Sequence, residues 1–421
     1  MSFAMPQRRA IGLIAAVTLV PVVTLARPTV TSADTGPNPV LHWSAVAETA
    51  ISAGRPPASS TVLGGMVHGA IYDAVAAIDP GLAPFVTDVD AAPGASVEAA
   101  VAQAARDVLV ARVPAQAGAV QTAFETYVAG IPAGPAKAAG SAAGAAAAAG
   151  MLAARHGDHY DDVVAYVQPT PGPGVFEPIA PTTPVDTKLP FVRPFTYDSP
   201  VDLRPGEPYA LTGKKYAADV RELTALGRAT GSERTDPQTE TVRFFTDQTF
   251  VQYSRALRGL VAERGLDVSE SARLLGYLHV AAADTMIACW DAKFHYMFWR
   301  PNHAIQRADT DDNPGTTADS TWTPLVTGNH PEYPSGHACI TAAVTEALRG
   351  YFQTKHVELT VTSTVVGTSR TYDRLDDLVA DVADARVWGG LHYRTTMEET
   401  AKHYPRIARE VGKHYFLRTA H

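Results

Sequence analysis

The sequence predicts an all-α protein, a bundle of helices joined by long irregular loops. Apolar and alanine-rich residues recur with helical spacing through most of the 421 residues. The one strand-like run, VELTVTSTVV from residue 357, favours a short hairpin at most. Hydrophobic residues make up 46% of the chain and charged residues 19%, which is enough apolar side chain for a large core.

The first 33 residues have the pattern of a secretory signal peptide. Arg8 and Arg9 precede the apolar run AIGLIAAVTLVPVVTLA, and the small residues TSA end at Ala33. We predict cleavage near Ala33, and the arginine pair leaves a twin-arginine export route open. An uncleaved anchor is disfavoured because Pro21 interrupts a run that is already short for a bilayer. The mature protein is therefore expected to be secreted or extracytoplasmic, without a membrane span.

Residues 34–212 are predicted to form an N-terminal helical region. Its helices are expected at residues 41–54, 59–79, 96–112 and 136–155. The last of these is so rich in alanine that its composition is of low complexity, but its pattern favours a packed helix over a linker. Prolines then crowd residues 157–212 and exclude regular helix, which predicts an ordered loop wrapped over the bundle.

Residues 213–421 are predicted to form a C-terminal helical region that carries the chemistry. Helices are expected at residues 214–227, 236–248, 250–265 and from 269 to the Arg300-Pro301 step. The last helix should end there because proline disfavours helical backbone in the residue before it.

Charge and cysteine content exclude several classes of protein. Acidic residues outnumber basic ones by 43 to 35, which gives a net charge of −8 and argues against nucleic-acid binding. Any anionic ligand must therefore be held by a local site. Cys289 and Cys339 are too few for a disulfide scaffold. An exported protein could pair them, but their spacing alone leaves the question open.

The stretch WDAKFHYMFWRPNH, residues 290–303, places Lys293 and Arg300 seven residues apart. On a continuous helix this step is nearly two turns, so both cations and Trp290 would project from one face. Like charges held that close repel each other. Either the face is solvated and the pair is incidental, or an anion lies between the two side chains.

A second segment, HPEYPSGHACITAAVTEALRGYF, begins at residue 330. Ser335 follows a proline and precedes an amphipathic helix, so it is predicted to cap that helix. The free amides of the first turn, including that of Gly336, would then form an anion site. His337 lies in the same turn and could exchange a proton with a bound group. Taken alone, these residues are better explained as a helix cap with a chance histidine.

A third segment, ARVWGGLHYRTTMEE, places Arg386 six residues before His392. Six is a poor helical repeat, but Gly389 and Gly390 permit a bend that turns both side chains to one point. By itself this segment could also hold an arginine paired with a nearby acid and a core histidine. Together, the three segments supply fixed positive charges, hydrogen-bond donors and two imidazoles, which suit a tetrahedral oxyanion.

The motifs K-x6-RP, PSGH and R-x5-H, in this order, resemble those of the superfamily that joins type 2 phosphatidic acid phosphatases, bacterial acid phosphatases and vanadium-dependent haloperoxidases. The resemblance implies the helical bundle of the vanadium haloperoxidase and acid phosphatase type. The long helical N-terminal half is similar to the bacterial vanadium haloperoxidase branch. Membrane lipid phosphatases of the superfamily carry several spans, which this sequence lacks.

The resemblance implies a cradle for vanadate or phosphate. Lys293, Arg300 and Arg386 would neutralise the oxygens of the anion, while Ser335 and the Gly336 amide would donate hydrogen bonds to it. Lys293 would also polarise a peroxide oxygen during halide oxidation.

The same resemblance implies roles for two histidines and for the halide side of the site. His392 would ligate vanadium, or attack phosphorus in a phosphatase. His337 would act as general acid and base. Trp290 and His330 would line the halide side, and a histidine there resembles bromoperoxidases more than chloroperoxidases.

The third motif departs from the family pattern S-R-x5-H-x3-D at two positions. Ala385 replaces the serine and Thr396 replaces the aspartate. That aspartate usually supports the second histidine, so another group must set the tautomer and basicity of His392. Glu398 and Glu399 are close in sequence, but their offset does not match.

We therefore expect a vanadate-dependent haloperoxidase that uses hydrogen peroxide, a halide and an organic acceptor, with bromide favoured. Two alternatives stay open: a secreted phosphomonoesterase that acts through a phosphohistidine, and a catalytically silent phosphate-binding protein. A homodimer is expected by family analogy alone.

Overall fold

A computed structural model describes residues 38–179 and 181–419. The predicted signal peptide and its cleavage site near Ala33 lie outside these residues. The described helices are α1 Pro39–Ser52, α2 Pro57–Ala76, α3 Val97–Arg112, α4 Ala117–Ala129, α5 Pro135–Ala154, α6 Lys214–Leu226, α7 Asp236–Phe244, α8 Thr249–Glu263, α9 Val268–Tyr296, α10 Pro301–Gln306, α11 Gly336–Phe352, α12 Leu375–Trp388, α13 Arg394–His403 and α14 Pro405–His414. The all-α class is confirmed.

One antiparallel hairpin is present among the described residues. Strand β1, Leu359–Ser363, pairs with β2, Thr368–Tyr372, and Leu359 lies opposite Tyr372. Strand β1 falls in the stretch 357–366 where the sequence predicts a short hairpin, and β2 lies just beyond that stretch. None of the described helices is long and apolar enough to cross a membrane.

Helix α9 is the central element of the bundle. It begins with a capping box between Asp267 and Glu270, which satisfies amides that the first turn leaves free. Its residues are buried almost continuously from Ser271 to Lys293 because α2, α11 and α14 pack around it. A helix that is apolar on nearly all sides requires such an environment.

The alanine-rich helix α5 packs closely against α3, as predicted. A Cβ atom at Gly140 would lie 2.1 Å from the Ser96 carbonyl oxygen, and one at Gly144 would lie 2.2 Å from that of Ala100. These distances are far below van der Waals contact, so only glycine permits this approach of the two helices.

The sequence prediction misses α4. Val120 is the one fully buried residue in this helix, so its apolar positions give little periodic signal. In the described part of the proline-rich segment that follows α5, the only helical elements are short 3-10 turns. The segment is fastened to α9 by Asp284, whose carboxylate accepts hydrogen bonds from the amides of Phe195 and Thr196 at 2.6 and 3.0 Å.

The prediction that Lys293 and Arg300 share one helix face is wrong. Helix α9 ends at Tyr296, because Met297 adopts the left-handed conformation with φ of 47°. The backbone beyond it pairs with the proline-rich segment: the Phe176 amide donates to the Met297 carbonyl at 2.7 Å. Arg300 is instead the N-cap of α10, so it reaches the site from a separate turn.

Candidate active site

The three motif segments meet around a cavity of about 230 Å³. Seven of the nine residues singled out from the sequence line it: Trp290, Arg300, His330, Gly336, His337, Arg386 and His392. Lys293 and Ser335 are not among the lining residues and lie fully buried behind them. The predicted convergence of distant segments on one point is therefore present.

Ser335 caps α11 as the sequence predicts. Its hydroxyl accepts a hydrogen bond from the Ala338 amide at 3.4 Å, and its own amide donates to the Thr400 hydroxyl at 3.2 Å. Gly336 follows as the first helical residue. A Cβ atom there would lie 3.0 Å from the Trp290 ring, so glycine lets the indole pack against this turn.

Lys293 is engaged by backbone carbonyls. Its ammonium donates to the oxygens of Pro331 at 2.8 Å, of Glu332 at 3.0 Å, and of Pro334. An ammonium has three protons, so all of its donors are used. Burial, and then the nearby Arg300, lower the pKa of Lys293 well below its usual value. In this arrangement Lys293 braces the turn before Ser335 and acts on the cavity through its charge.

Arg300 connects the second and third segments. Its Nε donates to the His330 carbonyl at 2.7 Å and its Nη1 to the Leu391 carbonyl at 2.9 Å. Its Nη2 lies 2.9 Å from His330 Nδ1. A Cβ atom at Gly328 would lie 3.0 Å from Nη2, so a glycine at that position makes room for the guanidinium.

Three of the residues that line the cavity each have a buried nitrogen without a hydrogen-bond partner. These nitrogens are Arg386 Nε, His337 Nε2 and Trp290 Nε1. Arg386 makes one bond, from Nη1 to the Phe245 carbonyl at 3.0 Å. Leaving a buried donor or acceptor unpaired costs about 1–3 kcal/mol, so these atoms favour a polar guest.

The electrostatic balance favours an anion. Lys293, Arg300 and Arg386 are 0%, 3% and 6% exposed, and none of them forms a salt bridge with any carboxylate in the described ranges. Burial lowers the pKa of Arg300 to about 10 and, with help from Arg300, that of Arg386 to about 9. Buried charges without partners are strongly unfavourable, and a bound oxyanion would relieve that cost.

Glu332 is the group that supports His392. Its Oε1 lies 2.7 Å from His392 Nδ1 and accepts from the Tyr393 amide at 3.2 Å. Its Oε2 accepts from the Thr396 hydroxyl at 2.9 Å. Burial raises the pKa of Glu332 to about 7, against the opposite effects of Arg300 and Lys293. The sequence prediction missed this residue, although a glutamate between two prolines three positions before Ser335 was a visible signal.

Asp186 lines the cavity and was also missed by the sequence prediction. It belongs to the proline-rich segment and adopts a φ of 58°. One carboxyl oxygen accepts from the Ser59 hydroxyl, and the other has no partner. Burial raises the pKa of this carboxyl. The segment expected only to wrap the bundle therefore also forms part of the cavity wall.

The disulfide question left open by the sequence is answered by the structure. Cys289 and Cys339 are bonded, with their Cα atoms 6.4 Å apart. The bond joins α9, which carries Trp290, to α11, whose first turn carries Gly336 and His337. Across the described residues, no cluster of three or more histidine, cysteine and acidic side chains is arranged to hold a metal cation.

Comparisons with known proteins agree with this geometry. Residues 273–419 match a protein-family model described as the VCPO second helical-bundle domain. A bacterial vanadium-dependent iodoperoxidase superposes with a TM-score of 0.75 at 18% identity, over 89% of this chain and 94% of that one. A bacterial vanadium-dependent chloroperoxidase gives a TM-score of 0.69, both in its holo form (17% identity, 86% of this chain and 93% of that one) and in its apo form (18%, 85% and 93%). No curated protein matches significantly. The chain thus has the fold of the bacterial vanadium haloperoxidases, and its C-terminal part matches a family model from that group.

Proposed function

We propose that this protein is a vanadate-dependent haloperoxidase that oxidises a halide with hydrogen peroxide to a hypohalous species, which then halogenates an organic acceptor. The observation that carries the proposal is the cavity itself. Two buried arginines without carboxylate partners line it, the buried Lys293 lies behind them, and three of its lining residues have an unpaired nitrogen. The vanadium-dependent peroxidases that share the fold support the choice among anion chemistries.

The chain offers suitable groups to hold vanadate. Arg386 has a free Nε, the Gly336 amide lies at the positive end of α11, and His392 Nε2 is free of any carboxylate. When bound, vanadate would supply a Lewis acid that activates peroxide without changing its own oxidation state. Arg300 would contribute positive charge to the anion from the cavity wall, and Lys293 would do so from behind it.

His337 is suited to accept a proton from incoming peroxide. Its Nε2 has no hydrogen-bond partner, and a neutral imidazole keeps a lone pair on one of its two ring nitrogens. Burial, followed by Arg386, lowers the pKa of His337 well below its usual value, which keeps the imidazole neutral. A neutral imidazole has the free lone pair that a general base requires.

Trp290 and His330 form the side of the cavity that we assign to the halide. Their rings lie 5.2 Å apart, and Arg300 holds His330 through both its carbonyl and its ring. Burial, with Arg300, keeps the pKa of His330 low, so this wall is neutral and partly apolar. Such a wall removes water from a halide more readily when the ion is large and weakly hydrated. We therefore propose a preference for bromide over chloride.

Export to an extracytoplasmic compartment is part of the proposal. The disulfide between Cys289 and Cys339 supports it, because such bonds persist mainly in oxidising compartments. A homodimer is proposed on family analogy only.

The test compares peroxidase with phosphatase chemistry in the same preparation. Purified protein with orthovanadate and hydrogen peroxide is assayed with iodide, bromide and chloride against a halogen-trapping dye, and without vanadate against a phosphomonoester. We expect halogenation that requires vanadate. Turnover of the phosphoester alone would instead favour a phosphohistidine enzyme.

A pair of histidine variants completes this test. His392→Ala should abolish halogenation, whereas His356→Ala, at an exposed position, should not change it. Tight phosphate binding with neither activity would identify a silent member of the superfamily.

A further inference from the structure

We propose that Glu332 is the positioning residue for His392 and takes the place of the aspartate that the family motif carries at the position of Thr396. The inference rests on the proposed function, because it concerns the histidine that would face the anion. On this reading the supporting carboxylate is still present, but it lies in the turn before α11 and not at position 396 of α13.

The hydrogen bonds around His392 define which ring nitrogen carries the proton. Arg300 Nη1 lies 3.4 Å from Nε2, and a guanidinium can only donate. Nε2 therefore presents its lone pair, and Nδ1 carries the proton that is donated to Glu332 at 2.7 Å. The electrophilic central atom of a bound oxyanion, vanadium or phosphorus, would accept this lone pair.

Glu332 is itself held rigidly for this role. It is 0% exposed, and both carboxylate oxygens accept hydrogen bonds, from the Tyr393 amide and the Thr396 hydroxyl. Its backbone carbonyl also accepts from Lys293. His392 is 1% exposed, so water is poorly placed to replace the carboxylate if it is removed.

The contact between Thr396 and Glu332 predicts a specific incompatibility. The two side chains are 2.9 Å apart at their oxygens. An aspartate at 396 would therefore place two carboxylates within hydrogen-bond distance in a buried site, where they repel each other. The family residue should be harmful in this chain until Glu332 is neutralised.

The experiment is a double-mutant cycle on the vanadate-free protein. Glu332→Ala, Thr396→Asp, the double variant and the control Thr396→Val are titrated with orthovanadate and with inorganic phosphate by calorimetry. We expect Glu332→Ala to weaken vanadate binding by roughly ten- to a hundredfold. Thr396→Asp alone should also weaken it, and the double variant should recover most of the affinity. Thr396→Val removes one donor to Glu332 without adding charge. Because His392 and the Tyr393 amide still hold the carboxylate, binding should change by less than about threefold.

A second readout does not depend on anion binding. The ¹⁵N shifts of the His392 ring, assigned by their loss in His392→Gln, report the tautomer directly. We expect the Nδ1–H form in the unmodified protein and a mixture in the conservative variant Glu332→Gln, which also covers the case that Glu332→Ala does not fold.

The outcomes separate this inference from the proposed function. Unchanged anion affinity together with an unchanged tautomer in the Glu332 variants would overturn the role of Glu332, and so would a double variant no better than the worse single one. Failure of the unmodified protein to bind vanadate would instead remove the haloperoxidase proposal, while the tautomer measurement would still decide the role of Glu332.

Discussion

Replacing His279 with phenylalanine is expected to make folding less sensitive to acid. His279 on α9 stacks on His68 of α2, with ring centroids 3.9 Å apart and planes inclined by 5°. Both rings are buried in the core, at 5% and 2% exposure, and His279 Nε2 has no hydrogen-bond partner. Burial, and then the charge of Arg258, lower the pKa of His279 from 6.5 to about 3.

The magnitude follows from the two pKa values. The unfolded chain takes up a proton on this imidazole near pH 6.5, whereas the folded chain resists it until about pH 3. The contribution of the neutral His279 imidazole to the free energy of unfolding is therefore fully present above pH 6.5 and is lost as the pH falls towards 3. The full loss is about 5 kcal/mol, of which about 2 kcal/mol has occurred by pH 5. His68 acts in the same direction, because burial and the neighbouring His279 and Arg258 lower its pKa.

Urea unfolding followed by tryptophan fluorescence at pH 7.5 and pH 5.0 measures this effect. The free energy of unfolding should fall between the two pH values by about 2 kcal/mol less in His279→Phe than in the unmodified protein. Using the difference between two pH values removes any pH-independent cost of the new side chain. The exposed His356→Phe is the matched control for loss of one histidine. Equal losses in His279→Phe and the unmodified protein would refute the reasoning.

Three further predictions concern the site and the packing. Arg386→Met should reduce inorganic phosphate affinity at least tenfold in calorimetry, because it removes a buried charge with a free donor; unchanged affinity would remove Arg386 from the cradle. Gly144→Val should destabilise the protein by about 1–3 kcal/mol in thermal unfolding, because its Cβ meets the α3 backbone, whereas Gly118→Ala, with open space around it, should not. Cys289→Ala with Cys339→Ala should cost about 4 kcal/mol, since the bond closes a loop with a sequence separation of 50; equal unfolding midpoints with and without the bond would contradict this.

The sequence predicts the local geometry of the motifs because each of them has a local cause. Ser335 caps a helix by its own hydroxyl, and the glycine at 390 takes a φ of 75° that turns the chain between Arg386 and His392. Both effects act within a few residues, so the local sequence predicts them. The pairing of Cys289 with Cys339 and of Glu332 with His392 depends on how helices pack, and no local pattern encodes that.

The error over Lys293 and Arg300 has a similar origin. Helical spacing predicts which side chains share a face only while the helix continues. Helix α9 ends at Tyr296, before the predicted end at the Arg300-Pro301 step. The helix ends there because the next residues pair with the backbone of the distant segment Gly174–Phe176. A tertiary contact therefore overrides a run that is compatible with helix by composition.

The way in which the cations are held explains how the site can exist before an anion binds. Among the described groups, the oxygens that accept from Lys293, Arg300 and Arg386 are all backbone carbonyls. Carbonyl dipoles offset part of the cost of burying a charge, yet they leave its net positive value in place. A carboxylate in the same positions would neutralise the cradle and compete with the anion. The fully buried carboxyl group of Glu332 is turned towards His392 instead, so it orients the imidazole while the positive field in the cavity is retained.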